Sequence, residues 1–281
     1  MRRIGFITNL SKDIDGSKTS SILQIANNLG MEALVSFDVH RLTGMGKPAR
    51  DEDLFGTSDV IITLGGDGTL LHAAGFAVLA DKPIMGINMG NLGFLTDTDF
   101  SQAKYALNAI CRGQFHIDKR MMLKCEIIQD RGGSQQFVAF NDIGIMRSLV
   151  SRIIHLKVKV NQQELSSYSG DGLLVSSPTG STAYSLSAGG PIVNPNVECL
   201  ILTPICPHSL NSRSVITSVN DIIRIEVKSQ DPDITLTADG QSQAVLKAGD
   251  EVLISKAAVY AKLIRTKDSN FFRIFHEKIV L

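Results

Sequence analysis

The sequence predicts two domains of different class: an N-terminal, Rossmann-like parallel α/β domain, followed by an antiparallel, all-β domain. Three observations carry that prediction. Apolar, β-branched runs alternate with helical periodicity up to about residue 114. Beyond it, short alternating runs succeed one another with no convincing helix between them. The chain, at 281 residues, is also long enough to bury two cores.

In order, residues 3–8 read as a first strand and 17–29 as a helix with Ile22, Ile25 and Leu29 on its inward face. A second strand follows at 33–37. Residues 41–57, with Gly44, Gly46, Pro48 and several charges, read as an exposed, mobile loop. The run at 60–64 is apolar without a break, as in a strand buried on both faces of a parallel sheet. Gly65-Gly66-Asp67-Gly68 then turns the chain, and Thr69 occupies the N-cap position of a helix over 70–80. That helix is apolar almost all round and is expected to be buried. A strand at 83–87 and a helix at 101–110 complete the first domain.

The second domain is expected to hold strands at 124–128, 136–140, 142–146, 153–160, 164–168, 173–176, 222–227, 234–237 and 251–255. The end reads as a strand at 259–265 and an amphipathic segment at 271–278, and whether it returns to the first domain stays open. The expected division is 1–114, with 264–281 packing back on it in one reading, and 115–263.

Composition narrows the function. Hydrophobic content of 43% and charged content of 20% describe an ordinary soluble globular protein. Lys+Arg and Asp+Glu are equal at 28 each, so no overall field draws nucleic acid or an anionic membrane, and neither is an expected partner. The N-terminus reads as a strand and not as a signal peptide. No apolar stretch reaches membrane-spanning length. Cys111, Cys125, Cys199 and Cys206 show neither C-x-x-C pairing nor metal spacing. They are expected as reduced thiols of a cytoplasmic protein, and no protein-held metal site is expected.

Chemistry concentrates in a few stretches. A strand, a glycine turn and a helix start form an anion site, because small residues let backbone N–H groups approach a phosphate. Asp67 adds a carboxylate where phosphate would sit, which is repulsive unless it binds Mg²⁺ or takes a proton from an attacking hydroxyl. A purely structural turn capped by Thr69 is the alternative. At 86–97 the chain leaves a strand at its C-terminal end, where open α/β sheets bind ligands. There Asn88 and Asn91 offer amides, and Phe94 offers a ring face or a core side chain. The stretch 169–191 is rich in Ser, Thr and Gly, with a short helix expected at 181–188 on which Tyr184 and Leu186 pack. It forms a second anion- and sugar-binding surface. Asp67-Gly68, Asp171-Gly172 and Asp239-Gly240 lie outside any clear two-residue hairpin, and His208 reads as a loop histidine.

Together, Gly65-Gly66-Asp67-Gly68-Thr69, the pair Asn141-Asp142, and the stretch from Asp171-Gly172 to Pro191 resemble the NAD kinases. The resemblance runs over nearly the whole chain, and 171–191 is its most specific part. The GGDGT loop alone is shared with lipid kinases of the diacylglycerol and sphingosine type and, in related form, with phosphofructokinases. The resemblance implies an α/β domain plus a β-sandwich-like domain. It further implies transfer of the γ-phosphoryl group of ATP, with Mg²⁺ or another divalent cation, to the adenosine 2′-hydroxyl of NAD, giving NADP. By this likeness Asp67 is the catalytic carboxylate, and Gly65, Gly66, Gly68 and Thr69 shape the phosphate loop. Phe94 lies against NAD, and Asn141 with Asp142 holds its ribose hydroxyls. The family pair is most often Asn-Glu, so Asp142 is one methylene shorter. Asp171 meets the nicotinamide end, while Thr179, Thr182, Ala183, Tyr184 and Ser187 line the rest of the NAD site. A homodimer or homotetramer is implied, with neighbouring subunits completing that site. With no lysine in the loop, Mg²⁺ is left to supply most of the positive charge. Two rivals are a lipid kinase using the same loop and a non-catalytic NAD-binding sensor. The sensor is disfavoured on the ground that an unpaired buried carboxylate is costly.

Overall fold

The computed structural model describes residues 2–90, 93–96, 98–130, 132–147, 152–229, 234–267 and 271–280. Asn91 lies outside them. The chain divides into two compact units, residues 1–119 with 261–281, and residues 120–260.

The first unit is a parallel sheet wound in both directions. Its strands are β1 (Arg3–Thr8), β2 (Glu32–Val35), β3 (Lys47–Pro48), β4 (Val60–Gly65), β5 (Ile84–Asn88) and the short β6 (Thr98–Asp99). The chain steps from β1 out to β2 and β3, then returns to place β4 on the other side of β1 and β5 beyond it. The direction of winding therefore switches between β1 and β4. At such a point the connections leaving the two strands diverge and open a crevice at their C-terminal ends.

Helices α1 (Ser17–Asn28), α2 (Phe37–Thr43), α3 (Asp51–Thr57), α4 (Asp67–Leu79) and α5 (Ala103–Cys111) connect the strands. Ile4 and Phe6 of β1 pack with Ile22 and Ala26 of α1 and with Ala106 and Ile110 of α5 on one face. Gly5 turns to the other face, where a Cβ would crowd Leu54 of α3. Every residue of β4 is buried, as its unbroken apolar run requires.

Two expectations fail here. The span 41–57 is no loop: α2 closes on Gly44, which takes the left-handed conformation (φ 65°), and α3 opens with Asp51, Glu52 and Asp53 in its first turn. Helix α4 begins at Asp67, with Gly66 as its cap, so Thr69 sits inside the helix. That helix also keeps a solvent face of Gly68, His72, Phe76 and Leu79, at helical spacing.

The second unit is two antiparallel sheets around one core. Its strands are β7 (His116–Ile128), β8 (Ser134–Ala139), β9 (Asp142–Arg147), β10 (Ile154–Val160), β11 (Gln163–Gly170), β12 (Gly172–Ser176), β13 (Cys199–Ile205), β14 (Val215–Ser218), β15 (Ile223–Val227), β16 (Ile234–Ala238), β17 (Gln241–Leu246) and β18 (Glu251–Arg265). One sheet runs β14-β13-β12-β9-β16-β17. In the other, β11, β10, β15 and β18 pair in turn, and β7 pairs with β8. Alternate residues of both sheets, among them Ile143, Ile145, Leu173 and Val175 from one and Leu156, Val158, Ile225 and Val252 from the other, share the core.

Strands β13, β14 and β17 went unread in the sequence. The runs expected at 251–255 and 259–265 form the single strand β18, whose end returns to the first unit through Leu263 beside Ile84 of β5. A short helix α6 (Tyr184–Ser187) lies in the connection from β12 to β13, and α7 (Phe271–Phe275) follows β18. Among the described residues no helix is long and apolar enough to cross a membrane.

Candidate active site

Glycine at 65 is required by close approach, whereas at 66 the neighbour is the end of a flexible lysine. A Cβ on Gly65 would collide with the Thr69 side chain, and one on Gly66 would lie 2.9 Å from Lys12 Nζ. At Gly68 the space is open. The turn delivers Asp67 as the first residue of α4, a 13-residue helix, where the free N–H groups and the dipole favour negative charge.

The Asp67 carboxylate is not unpaired. Phe94 N–H and Leu95 N–H donate to Oδ2 (2.7 and 3.2 Å), while Thr96 N–H and Thr96 Oγ1 donate to Oδ1 (2.9 and 2.7 Å). Gly93 packs so closely that a Cβ there would collide with the carboxylate. Asp67 is paired, so no cost of an unpaired carboxylate weighs against a sensor. Asn88 Nδ2 donates to Thr96 Oγ1 (2.9 Å), and Asn88 Oδ1 accepts from Gly90 N–H (2.7 Å). Its amide is spent inside the loop and is not offered to a ligand. Phe94 is half-buried and reaches Asp67 through its backbone.

Two residues missed in the sequence stand at this turn. Asn9 N–H donates to Leu64 O (2.9 Å), and Asn9 Nδ2 reaches Thr69 Oγ1 (3.4 Å). Lys12, exposed, brings its ammonium to Gly66. A lysine from outside the loop thus brings positive charge to it, where the loop's own sequence leaves most of that charge to Mg²⁺. The signal was present: Asn9 and Lys12 directly follow the first strand, at the C-terminal end where ligands bind.

The second unit assembles another corner. Ser177 N–H donates to Asn141 O (2.8 Å) and Ser177 Oγ to Phe140 O (2.6 Å), and a Cβ on Gly180 would collide with the Asn141 backbone. The segment 177–180 is thereby bolted to the Asn141-Asp142 pair. Thr179 is buried, with Arg120 Nη1 3.5 Å from its hydroxyl, and Thr182 Oγ1 donates to Thr179 O (3.2 Å). A 3-10 turn, Thr179–Thr182, leads into α6. In α6 Ser185 is buried against Thr203, while Tyr184 is 45% exposed and Ser187 is exposed, so the expected packing of Tyr184 does not occur. Ala183, half-buried, joins the two turns.

Asp142 is 5% exposed and lies opposite Ser176 in the β9–β12 ladder. Burial, and then the charge of Asp239, push its carboxyl up to about 7. Asp171 is in a different place. It precedes β12 while Ser176 ends it, so the strand puts roughly 16 Å between Asp171 and the level of Asp142. There Arg147 Nε donates to Asp171 Oδ1 (2.6 Å), and this bond holds the Asp171 carboxyl below its ordinary range. Of the thiols, Cys125 is pushed up to about 12 by burial and is inert. The third Asp-Gly pair is a hairpin after all. Asp239-Gly240 (φ 52° and 75°) joins β16 to β17, with Ala238 opposite Gln241.

Residues 49–115 match the family model of the ATP-NAD kinase N-terminal domain, and residues 140–266 that of the C-terminal domain. The NAD kinase of Caldanaerobacter subterraneus subsp. tengcongensis is 40% identical over 280 residues, 99% of each chain. That of Acetivibrio thermocellus is 40% identical over 281 residues, 99% of this chain and 97% of its own. The crystal structure of yeast NADH kinase complexed with NADH superposes with a TM-score of 0.92 at 24% identity, covering 100% of this chain and 88% of that one. The Archaeoglobus fulgidus NAD kinase in complex with ATP gives 0.74 at 24% identity, covering 99% and 98%; at that identity both structures speak for the fold. With matching domain models and full-length relatives at 40% identity, the chain belongs to the NAD kinase family.

Proposed function

We propose that the chain transfers the γ-phosphoryl group of ATP to the adenosine 2′-hydroxyl of NAD, giving NADP. The observation that carries this reading is the Asp67 turn at the switch point between β1 and β4, where a carboxylate, a helix start and the Lys12 ammonium meet. The 2′-oxygen forms a bond to the γ-phosphorus as the bond to the β–γ bridging oxygen breaks and ADP leaves. The hydroxyl proton passes to Asp67, which can accept it once one of its four donors gives way. Phosphoryl transfer asks for positioning and charge neutralisation, and Lys12 with the first turn of α4 supports both.

Mg²⁺ belongs in this scheme with the nucleotide substrate. Among the described residues no three His, Cys, Asp or Glu side chains gather to hold a metal. That suits an ion carried chiefly by phosphates, with Asp67 as the carboxylate at the turn. Bound there, the ion would neutralise charge on the triphosphate.

On the acceptor side, Asn141 and Asp142 would hold the ribose hydroxyls, with Phe94 against NAD. Thr182, Ala183, Tyr184 and Ser187 would line the remainder, over a frame that buried Thr179 anchors. Asp171, at the far end of β12, would serve a neighbouring copy, which supports a homodimer or homotetramer. A cytoplasmic location is supported by four free thiols. The test is a coupled assay of NAD with Mg²⁺ and a panel of phosphoryl donors, read as NADP. NAD binding without NADP from any donor would instead favour a sensor.

A further inference from the structure

The hairpin turn at Asp239-Gly240 needs no carboxylate, since asparagine suits its first position at least as well. Yet the Asp239 side chain turns away from solvent to accept Phe140 N–H at Oδ2 (2.8 Å), and Asn141 N–H and Asp142 N–H at Oδ1 (2.7 and 3.3 Å). Asp239 N–H in turn donates to Asp142 O (2.9 Å). Four bonds thus tie the turn to three successive residues. Phe140 and Asn141 are held in addition by Ser177 and Gly180. The backbone of 140–142 is thus clamped, by Asp239 throughout and by Ser177 at Phe140 and Asn141, and the side chains of the pair are what this leaves to act.

The clamp has an electrostatic side. A second carboxylate beside buried Asp142 is unfavourable, and an uncharged turn residue would avoid it. Burial raises both carboxyls, but three N–H donors oppose that rise at Asp239 alone, which favours the negative charge on Asp239 over Asp142. The groups around Asp142 are few. Across the ladder lies Ser176, fully buried, whose hydroxyl has no partner. The 177–182 segment carries no ionisable side chain, and Arg120 brings a cation as far as Thr179.

We infer that Asp239 is a positioning residue for the acceptor, presenting Asn141 and Asp142 through their backbone and biasing the charge of Asp142 by its own. The inference rests on the reading that Asn141 and Asp142 hold the ribose. It adds that NAD capture is linked to a proton and that the turn residue sets the pH at which this occurs.

The test compares Asp239→Gly, which keeps the left-handed turn but removes the clamp, with Asp239→Asn, which removes the charge and, with one acceptor oxygen in place of two, keeps part of the clamp. For Asp239→Gly the KM for NAD should rise about tenfold, with kcat within about threefold and the KM for ATP unchanged. For Asp239→Asn the limb of the kcat/KM profile for NAD that lies near neutrality should move about one pH unit towards acid. Thermal unfolding of each variant reports whether it is folded, and a smaller rise of the KM in Asp239→Asn than in Asp239→Gly separates the clamp from the charge. An unmoved pH limb in Asp239→Asn, or an unchanged KM for NAD in folded Asp239→Gly, would overturn the inference. Asn141→Ala serves as the reference. If it too leaves NAD binding untouched, the assignment of the pair to the ribose fails and takes the inference with it. If it weakens NAD binding while both Asp239 variants do not, only the role of Asp239 fails.

Discussion

Asp67 and Asp142 are both aspartates at the start of a regular element, a helix and a strand, and their surroundings could hardly differ more. Asp67 opens a helix and is met by four donors from residues 94–96. Asp142 starts a strand, is buried, and faces the carboxylate of Asp239. The first environment satisfies a carboxylate with four hydrogen-bond donors at the start of a helix. The second makes the anion costly, so the same side chain holds its proton close to neutrality. The residue type sets what each group can do, and the neighbouring donors and charges set when it does so.

The largest effect expected is at Asp67. Asp67→Asn should lower kcat by about a thousandfold or more while NAD binding, followed by calorimetry, stays near normal. Retained turnover would remove the contrast between a chemical and a binding carboxylate.

Next comes Asp142. Its carboxyl lies at about 7 in the folded protein against an ordinary 3.8, so folding stability is undiminished below about pH 4 and is lost as pH climbs towards and past 7. Asp142→Asn cannot ionise. It should be more stable than the parent at pH 8, by something on the order of 3 kcal/mol, and no more stable at pH 4. Denaturant unfolding at the two pH values checks the sign, and equal gains at both would refute it.

The glycines extend the comparison. A Cβ on Gly180 would lie 2.0 Å from the Asn141 carbonyl oxygen, whereas one on Gly65 meets the Thr69 side chain, whose hydroxyl can rotate away while its Cβ, at 2.8 Å, stays. Gly180→Ala should therefore cost about 2–3 kcal/mol of stability and Gly65→Ala about half of that, with Gly68→Ala near neutral in the free protein. Melting temperatures rank the three. The smallest effect expected is at Lys12. Lys12→Ala should raise the KM for ATP about tenfold and leave that for NAD alone, and a change in the NAD value would take Lys12 away from the triphosphate.

Much of this frame was legible in the order of the residues. The run 60–64 announces a strand buried on both faces, and the structure buries all of β4. The 41–57 span was not legible. Helices of seven residues are too short to show a periodicity, and Gly44 reads equally well as a loop residue or as the left-handed end of a helix. The helix start at 67 was misplaced because Thr69 is a good cap by type. The real start is set from outside the segment, by the Asp67 carboxylate turning to residues 94–96 instead of capping its own helix. The hairpin at Asp239-Gly240 escaped because Gln241-Ser242-Gln243 lacks the alternating apolar residues that mark a strand.

What the sequence by itself determined was local: the apolar runs, the glycine turn with its carboxylate, and the residues that resemble a known family. These depend on near neighbours, whose propensity and spacing are written directly in the chain. The tertiary structure alone decided which distant groups meet. Asn9 and Lys12 reach the turn at 65–69 because β1 and β4 pair although about fifty residues separate them, and strand order in a parallel sheet is set by packing of the crossover helices. Asp239 reaches Asn141 and Asp142 across nearly a hundred residues for a similar reason: β16 pairs with β9, and that register places the turn beside the start of β9. Charge on a carboxyl depends on such encounters through distance and burial, which no local pattern in the chain encodes.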